Sequence, residues 1–131
     1  MRVTASVLVA GLLAASAASG APPSTRLLVT LYPQGPGAPG TARHYVLRCE
    51  PAAGTVPRPA RACRLLLRLP RPFAPVPPGT VCSQLALGPQ EAFVSGRLRG
   101  AQVNAHLVVR DSCEIARWRR LAAVVPGFPG P

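Results

Sequence analysis

Four cysteines, Cys49, Cys63, Cys82 and Cys113, are the residues of this chain with the most chemistry available to them. A cysteine nucleophile needs its thiolate stabilised by a histidine, a cation or a helix N-terminus. A structural zinc ligand needs a second cysteine two to four residues away. Around Cys82 neither arrangement occurs, no Cys-x-x-Cys is present anywhere, and neither a metal nor a cofactor is expected. The acids are only Glu50, Glu91, Asp111 and Glu114, and the histidines only His44 and His106. The chain has no Gly-x-Ser-x-Gly elbow, no His-Glu-x-x-His and no glycine loop shaped to cradle phosphate. A serine triad would have to be assembled from His106, Asp111 and a serine with no motif around it. Both histidines fall in predicted strands, where surface or packing roles are ordinary. This inventory points to a binding protein and away from an enzyme.

The cysteines therefore read as structural, and the start of the chain supports that reading. "MRVTASVLVAGLLAASAASGA" places Arg2 before an apolar run from Val3 to Ala15, followed by small residues suited to a signal peptidase. The run is short for a membrane span. Residues 1–20 are expected to be a cleaved leader, cut after Ala17 or Gly20, and 21–131 to form one secreted, extracellular domain with no membrane attachment after cleavage. Roughly 110 residues remain, enough for one modest core. An even number of cysteines in a small exported chain implies two disulfides. Three pairings are open; the sequential one, Cys49 with Cys63 and Cys82 with Cys113, closes two separate loops.

The elements that must position these residues follow from periodicity and breakers. Thr25–Pro33 and Ala42–Glu50 read as strands around a Gly/Pro loop, an antiparallel pair. Pro51–Pro57 reads as a turn. Arg58–Leu69 reads as an amphipathic helix with Pro59 in its first turn and Pro70 as its stop. Ala60, Cys63, Leu66 and Leu67 form its apolar face, with Arg61, Arg64 and Arg68 mainly opposite. Pro70–Gly79 is expected to be extended and stiff. Glu91–Asp111 reads as a β-hairpin turning between Gly96 and Gly100. Ser112–Leu121 reads as a short helix, capped by Asp111 or Ser112 with Glu114 in its first turn. Leu121–Phe128 is expected to be a last strand. The sum is an α+β domain of antiparallel sheet and helices.

All 15 basic residues are arginines and the formal net charge is +11. Such a charge favours anionic surfaces non-specifically. The arginine side of the predicted helix is read as an ordinary solvated face, with no specific nucleic-acid partner.

The stretch "CEPAAGTVPRPARACRLL", Cys49 to Leu66, resembles the signature of the Streptomyces-type subtilisin inhibitor family: Cys49, Pro51, Gly54, Pro57, Ala62 and Cys63 stand at its spacing, and Val56 replaces its histidine. The order of strand, motif, second cysteine pair and Gly-x-x-x-Gly hairpin also agrees, over most of the chain after the leader. The resemblance implies a five-stranded antiparallel sheet with two helices, a homodimer, and a subtilisin-like serine protease as partner. It implies a reactive loop of Val81, Cys82, Ser83, Gln84, Leu85 and Ala86, with Gln84 as the primary specificity residue and Gln84–Leu85 as the scissile bond. The family usually has methionine, lysine or arginine where Gln84 stands, and proline or threonine where Ser83 stands. One extra residue between Gln84 and Pro89 leaves Leu85 as an alternative specificity residue. Two other functions stay open on the sequence: a secreted module of this fold that binds without inhibiting, and a cationic polypeptide acting on anionic surfaces.

Overall fold

A computed structural model describes residues 24–130 together with Gly11, Ala14, Ala15, Gly20 and Pro22. The leader over residues 1–20 and its cleavage positions lie almost entirely outside the described residues. The elements are β1 (Arg26–Tyr32), β2 (Arg43–Cys49), β3 (Ala52–Gly54), α1 (Pro59–Arg68), β4 (Glu91–Leu98), β5 (Ala101–Leu107) and α2 (Ser112–Arg120). They form the α+β domain expected: one five-stranded antiparallel sheet, two helices and two disulfides.

β1 occupies the centre of the order β3-β2-β1-β4-β5 because it has partners on both edges and an apolar alternation on one face. Leu27, Val29 and Leu31 are buried, while Arg26 and Leu28 point away from them. A two-residue period places alternate side chains on opposite faces. Leu47, Ala92, Val94, Val103, Ala105 and Leu107 continue the same buried layer across β2, β4 and β5. α1 covers it on the β2–β3 side and α2 beside β5, with Trp118 fully buried among them.

Four local expectations need correction. First, Leu121–Phe128 is a series of turns, not a strand. The N–H groups of Val124 and Val125 both donate to the Leu121 carbonyl at 2.8 Å, and the Trp118 indole donates to the Val125 carbonyl at 3.0 Å. An extended run would send Val124 and Val125 to opposite faces, whereas the turn buries both with Leu121. The fifth strand is instead β3, inside the expected Pro51–Pro57 turn; Glu50 and Pro51 make a tight reversal that pairs Cys49 with Ala52.

Second, the hairpin turns over two residues, Arg99 and Gly100, with φ of 49° and 83°. Positive φ at both positions is the geometry whose twist suits a two-residue hairpin. Gly96 lies inside β4, opposite Leu27, with φ 128°. A Cβ there would collide with the Arg26 carbonyl oxygen, so glycine permits the close approach of β4 to β1.

Third, the buried side of α1 is rotated. Ala62, Cys63 and Leu66 are buried, while Ala60 is exposed and Leu67 is 69% exposed. The Cys49–Cys63 bridge, with Cα atoms 5.5 Å apart, joins α1 to the end of β2 and sets which arc of the helix faces the sheet.

Fourth, Pro70–Gly79 is not extended throughout. Ala74 N–H bonds the Arg71 carbonyl, and Pro77–Thr80 closes a second turn with Gly79 at φ 80°. Pro72 is buried.

Candidate functional site

The longest segment without helix or strand between β1 and α2 runs from Leu69 to Gln90, and its second half is almost wholly exposed. Among the described residues, three of the six exposed large apolar side chains lie there: Val81 at 95%, Leu85 at 55% and Leu87 at 41% exposure. Apolar side chains in water are unfavourable by roughly 25 cal/mol per Å2 of apolar surface left uncovered. A cluster of them on one loop is therefore a natural place for a partner to bind.

The loop is exposed yet held at several points. Cys82 is bonded to Cys113, the second residue of α2, with Cα atoms 5.5 Å apart. α2 is itself anchored at that end: the Asp111 carboxylate accepts from the N–H groups of Cys113 and Glu114 at 3.0 and 2.9 Å. Asp111 is thus the cap, which leaves the Ser112 hydroxyl free for the loop. That hydroxyl accepts from Ser83 N–H at 2.8 Å, and Ser112 N–H donates to the Ser83 carbonyl at 2.9 Å. Downstream, Leu87 N–H donates to the Val109 carbonyl at 2.9 Å. Between these anchors, Leu85 N–H donates to the Ser83 carbonyl at 3.0 Å and closes a γ-turn about Gln84.

The backbone hydrogen bonds alternate along the loop. Ser83, Leu85 and Leu87 use their N–H groups internally. The N–H and C=O groups of Cys82, Gln84 and Ala86 have no partner among the described residues. These backbone groups of Cys82, Gln84 and Ala86 are thus left for a partner to bond.

Upstream, Arg117 holds the base of the segment. It is 5% exposed, and its guanidinium donates to the carbonyls of Ala74 (3.0 Å), Phe73 (3.1 Å) and His106 (2.8 Å), and to Glu114 (3.2 Å). One side chain thus ties the proline-rich segment to α2 and β5. Sequence reasoning missed both Arg117 and Ser112 as loop supports. Arg117 left one signal, the Glu114 three residues earlier on the same helix face; Ser112 left none, since its partner is 29 residues away.

Residues considered for other chemistry are committed elsewhere. His106 bonds Glu91 at 2.9 Å and stacks on Phe93 with ring centroids 4.4 Å apart, while Asp111 accepts from the N–H groups of α2. His44 lies 3.3 Å from the Thr30 hydroxyl. Asp111 sits beside the Cys82 and Cys113 sulfurs, but these are bonded to each other, so neither offers a thiolate. All four cysteines are oxidised in the sequential pairing.

No protein-family model matches this chain, and neither does any curated protein.

Proposed function

We propose that this chain is a secreted inhibitor of subtilisin-like serine proteases that offers Val81–Ala86 to the enzyme as a slowly cut substrate. The observation that carries the reading is the unpaired backbone at Cys82, Gln84 and Ala86, on a loop anchored through Cys82, Ser83 and Leu87. A protease cleft binds its substrate by adding it as a strand, with main-chain bonds giving affinity and side-chain pockets giving specificity. Every second residue must then keep its hydrogen-bonding groups free. A loop already held in one shape loses little further entropy on binding. The exposed Val81 and Leu85 supply apolar side chains for pockets on either side of Gln84.

The backbone groups of Gln84 are unpaired and the N–H of Leu85 is not, which favours Gln84–Leu85 as the scissile bond over Leu85–Ala86. After a cut, the Cys82–Cys113 bridge and the Ser83–Ser112 pair would hold one new end, and the Leu87–Val109 bond would hold the other. Ends kept close re-form the peptide bond more readily than they diffuse apart. Two disulfides suit the oxidising compartment of a secreted protein. Among the described residues no helix is long and apolar enough to cross a membrane.

The test is a titration of the oxidised protein into subtilisin while hydrolysis of a small substrate is followed. Activity should fall linearly to zero near one inhibitor subunit per enzyme, with slow cleavage at Gln84–Leu85 on long incubation. Undiminished activity with rapid digestion at the loop would sink the proposal.

The homodimer implied by the family resemblance would use the sheet face opposite the helices, where Leu28 and Phe93 are 42% and 39% exposed. Sedimentation should then give twice the monomer mass, and Phe93→Asp should shift it to the monomer. A wild-type monomer at about 100 μM would exclude a dimer tighter than that concentration.

A further inference from the structure

Five of the exposed arginines line one cleft. Arg61, Arg64 and Arg68 stand at i, i+3 and i+7 of α1 and form a single exposed stripe. Arg119 and Arg120, at the end of α2, face that stripe across a cleft of about 510 Å3 floored by Leu65, Ala122 and Ala123. Arg119 also lies over the Phe128 ring at 5.5 Å.

Among the described residues no carboxylate side chain pairs with these five guanidinium groups. The chain has four acidic side chains, and each is engaged elsewhere. Glu50 accepts from Thr25 N–H, Glu91 pairs with His106, Asp111 caps α2, and Glu114 pairs with Arg117. Five like charges lining one cleft repel one another and hold a local excess of small anions. A polyanion that replaces those ions relieves the repulsion and releases them to solution, which favours binding at low salt.

The chemistry of the lining narrows the ligand. Guanidinium forks match phosphate oxygens in pairs. The cleft lining has no aromatic side chain on which a base could stack, so nothing there rewards a nucleobase by stacking. The three arginines of α1 span about 10 Å along the helix axis, so several negative charges must fall within that length. Directly linked phosphates meet this requirement most densely. We infer that the cleft between α1 and the end of α2 binds a linear, base-free phosphate polymer of the polyphosphate class, read through its phosphates alone. This inference does not depend on the protease reading, because the cleft residues are separate from Val81–Ala86.

The experiment measures binding of the full oxidised chain to a labelled polyphosphate at about 50 mM salt and across a salt series, beside single-stranded DNA and polyglutamate of matched charge number. Polyphosphate should bind tightest, with affinity falling linearly on a log–log plot against salt. The triple variant Arg64→Gln/Arg68→Gln/Arg120→Gln should bind about 100-fold more weakly at low salt and reduce the slope by about 2. The variant Arg26→Gln/Arg43→Gln/Arg48→Gln removes the same charge from exposed positions on β1 and β2 and should lose much less. Equal losses in the two variants would assign binding to net charge and overturn the site. Equal or tighter binding of DNA would overturn the base-free ligand in favour of nucleic acid, and equal binding of polyglutamate would overturn phosphate recognition. Loss of inhibition in the triple variant is not expected, so failure of either proposal is readable without the other.

Discussion

If the chain inhibits subtilisin as proposed, replacing Cys82 and Cys113 together by serine is expected to turn it from an inhibitor into a substrate. The bridge spans a separation of 31 residues, so its loss should lower stability by about 3–4 kcal/mol on the chain-entropy account. The larger consequence falls on the loop. Ser83 keeps its two bonds to Ser112, but these are exposed hydrogen bonds, each contributing only about 1 kcal/mol. A protease that strains the loop would break them, and a cut end would then leave the cleft. Incubation with subtilisin, followed by mass spectrometry and residual activity, should show rapid cleavage and recovery of the enzyme. The double variant Cys49→Ser/Cys63→Ser is the control. Its 14-residue separation predicts a comparable loss, about 3 kcal/mol, at a bridge between β2 and α1 rather than at the loop. Inhibition should survive there at temperatures where the variant stays folded. If the Cys82/Cys113 variant still inhibits stoichiometrically and is recovered uncut, the bridge is not what makes the loop resistant.

The second large effect is expected at Arg117. Arg117→Met fills much of the same volume but leaves the carbonyls of Phe73, Ala74 and His106 without their donor and Glu114 without its cation. Removing one partner from a buried charged network costs about 3–5 kcal/mol. Arg117→Lys keeps the charge, but one ammonium cannot serve three carbonyls in the plane that a guanidinium reaches. It should lose about half as much. Denaturant unfolding measures both. The loop supplies a second readout: with Phe73 and Ala74 released, limited proteolysis should cut sooner between Ala74 and Thr80 than in the wild type. A variant as stable as the wild type would mean that the turns at Arg71–Ala74 and Pro77–Thr80 hold the segment unaided.

Much of the architecture is legible because local rules suffice for it. The alternation of Leu27, Val29 and Leu31 makes β1 a strand wherever it is placed. Pro59 and Pro70 bound α1 through the missing N–H of proline. The errors fall where local rules are silent. Leu121, Val124 and Val125 fit a buried turn as well as a strand end, and the Trp118 indole, by bonding the Val125 carbonyl, decides for the turn. Ala60 and Leu67 fit the apolar side of α1 as well as Ala62 does, and the bridge to Cys49 decides which arc is covered. In the loop, Cys82 is legible as a structural cysteine, but the alternation of free and used backbone groups is not. That alternation is set by Ser112 and Val109, and hydrogen bonds over such separations leave no periodic trace in sequence.

The sequence by itself determined the kinds of element, the antiparallel α+β class, the even set of oxidisable cysteines and the excess of arginine. These depend on composition, near-neighbour spacing and the conformational limits of proline and glycine, all of which act within a few residues. Tertiary structure alone decided which cysteines meet, that Arg117 is buried while Arg119 and Arg120 are exposed, and that the arginines of α1 and α2 share one cleft. Each of these brings together groups far apart in the chain, and packing around a common core sets the distance between them.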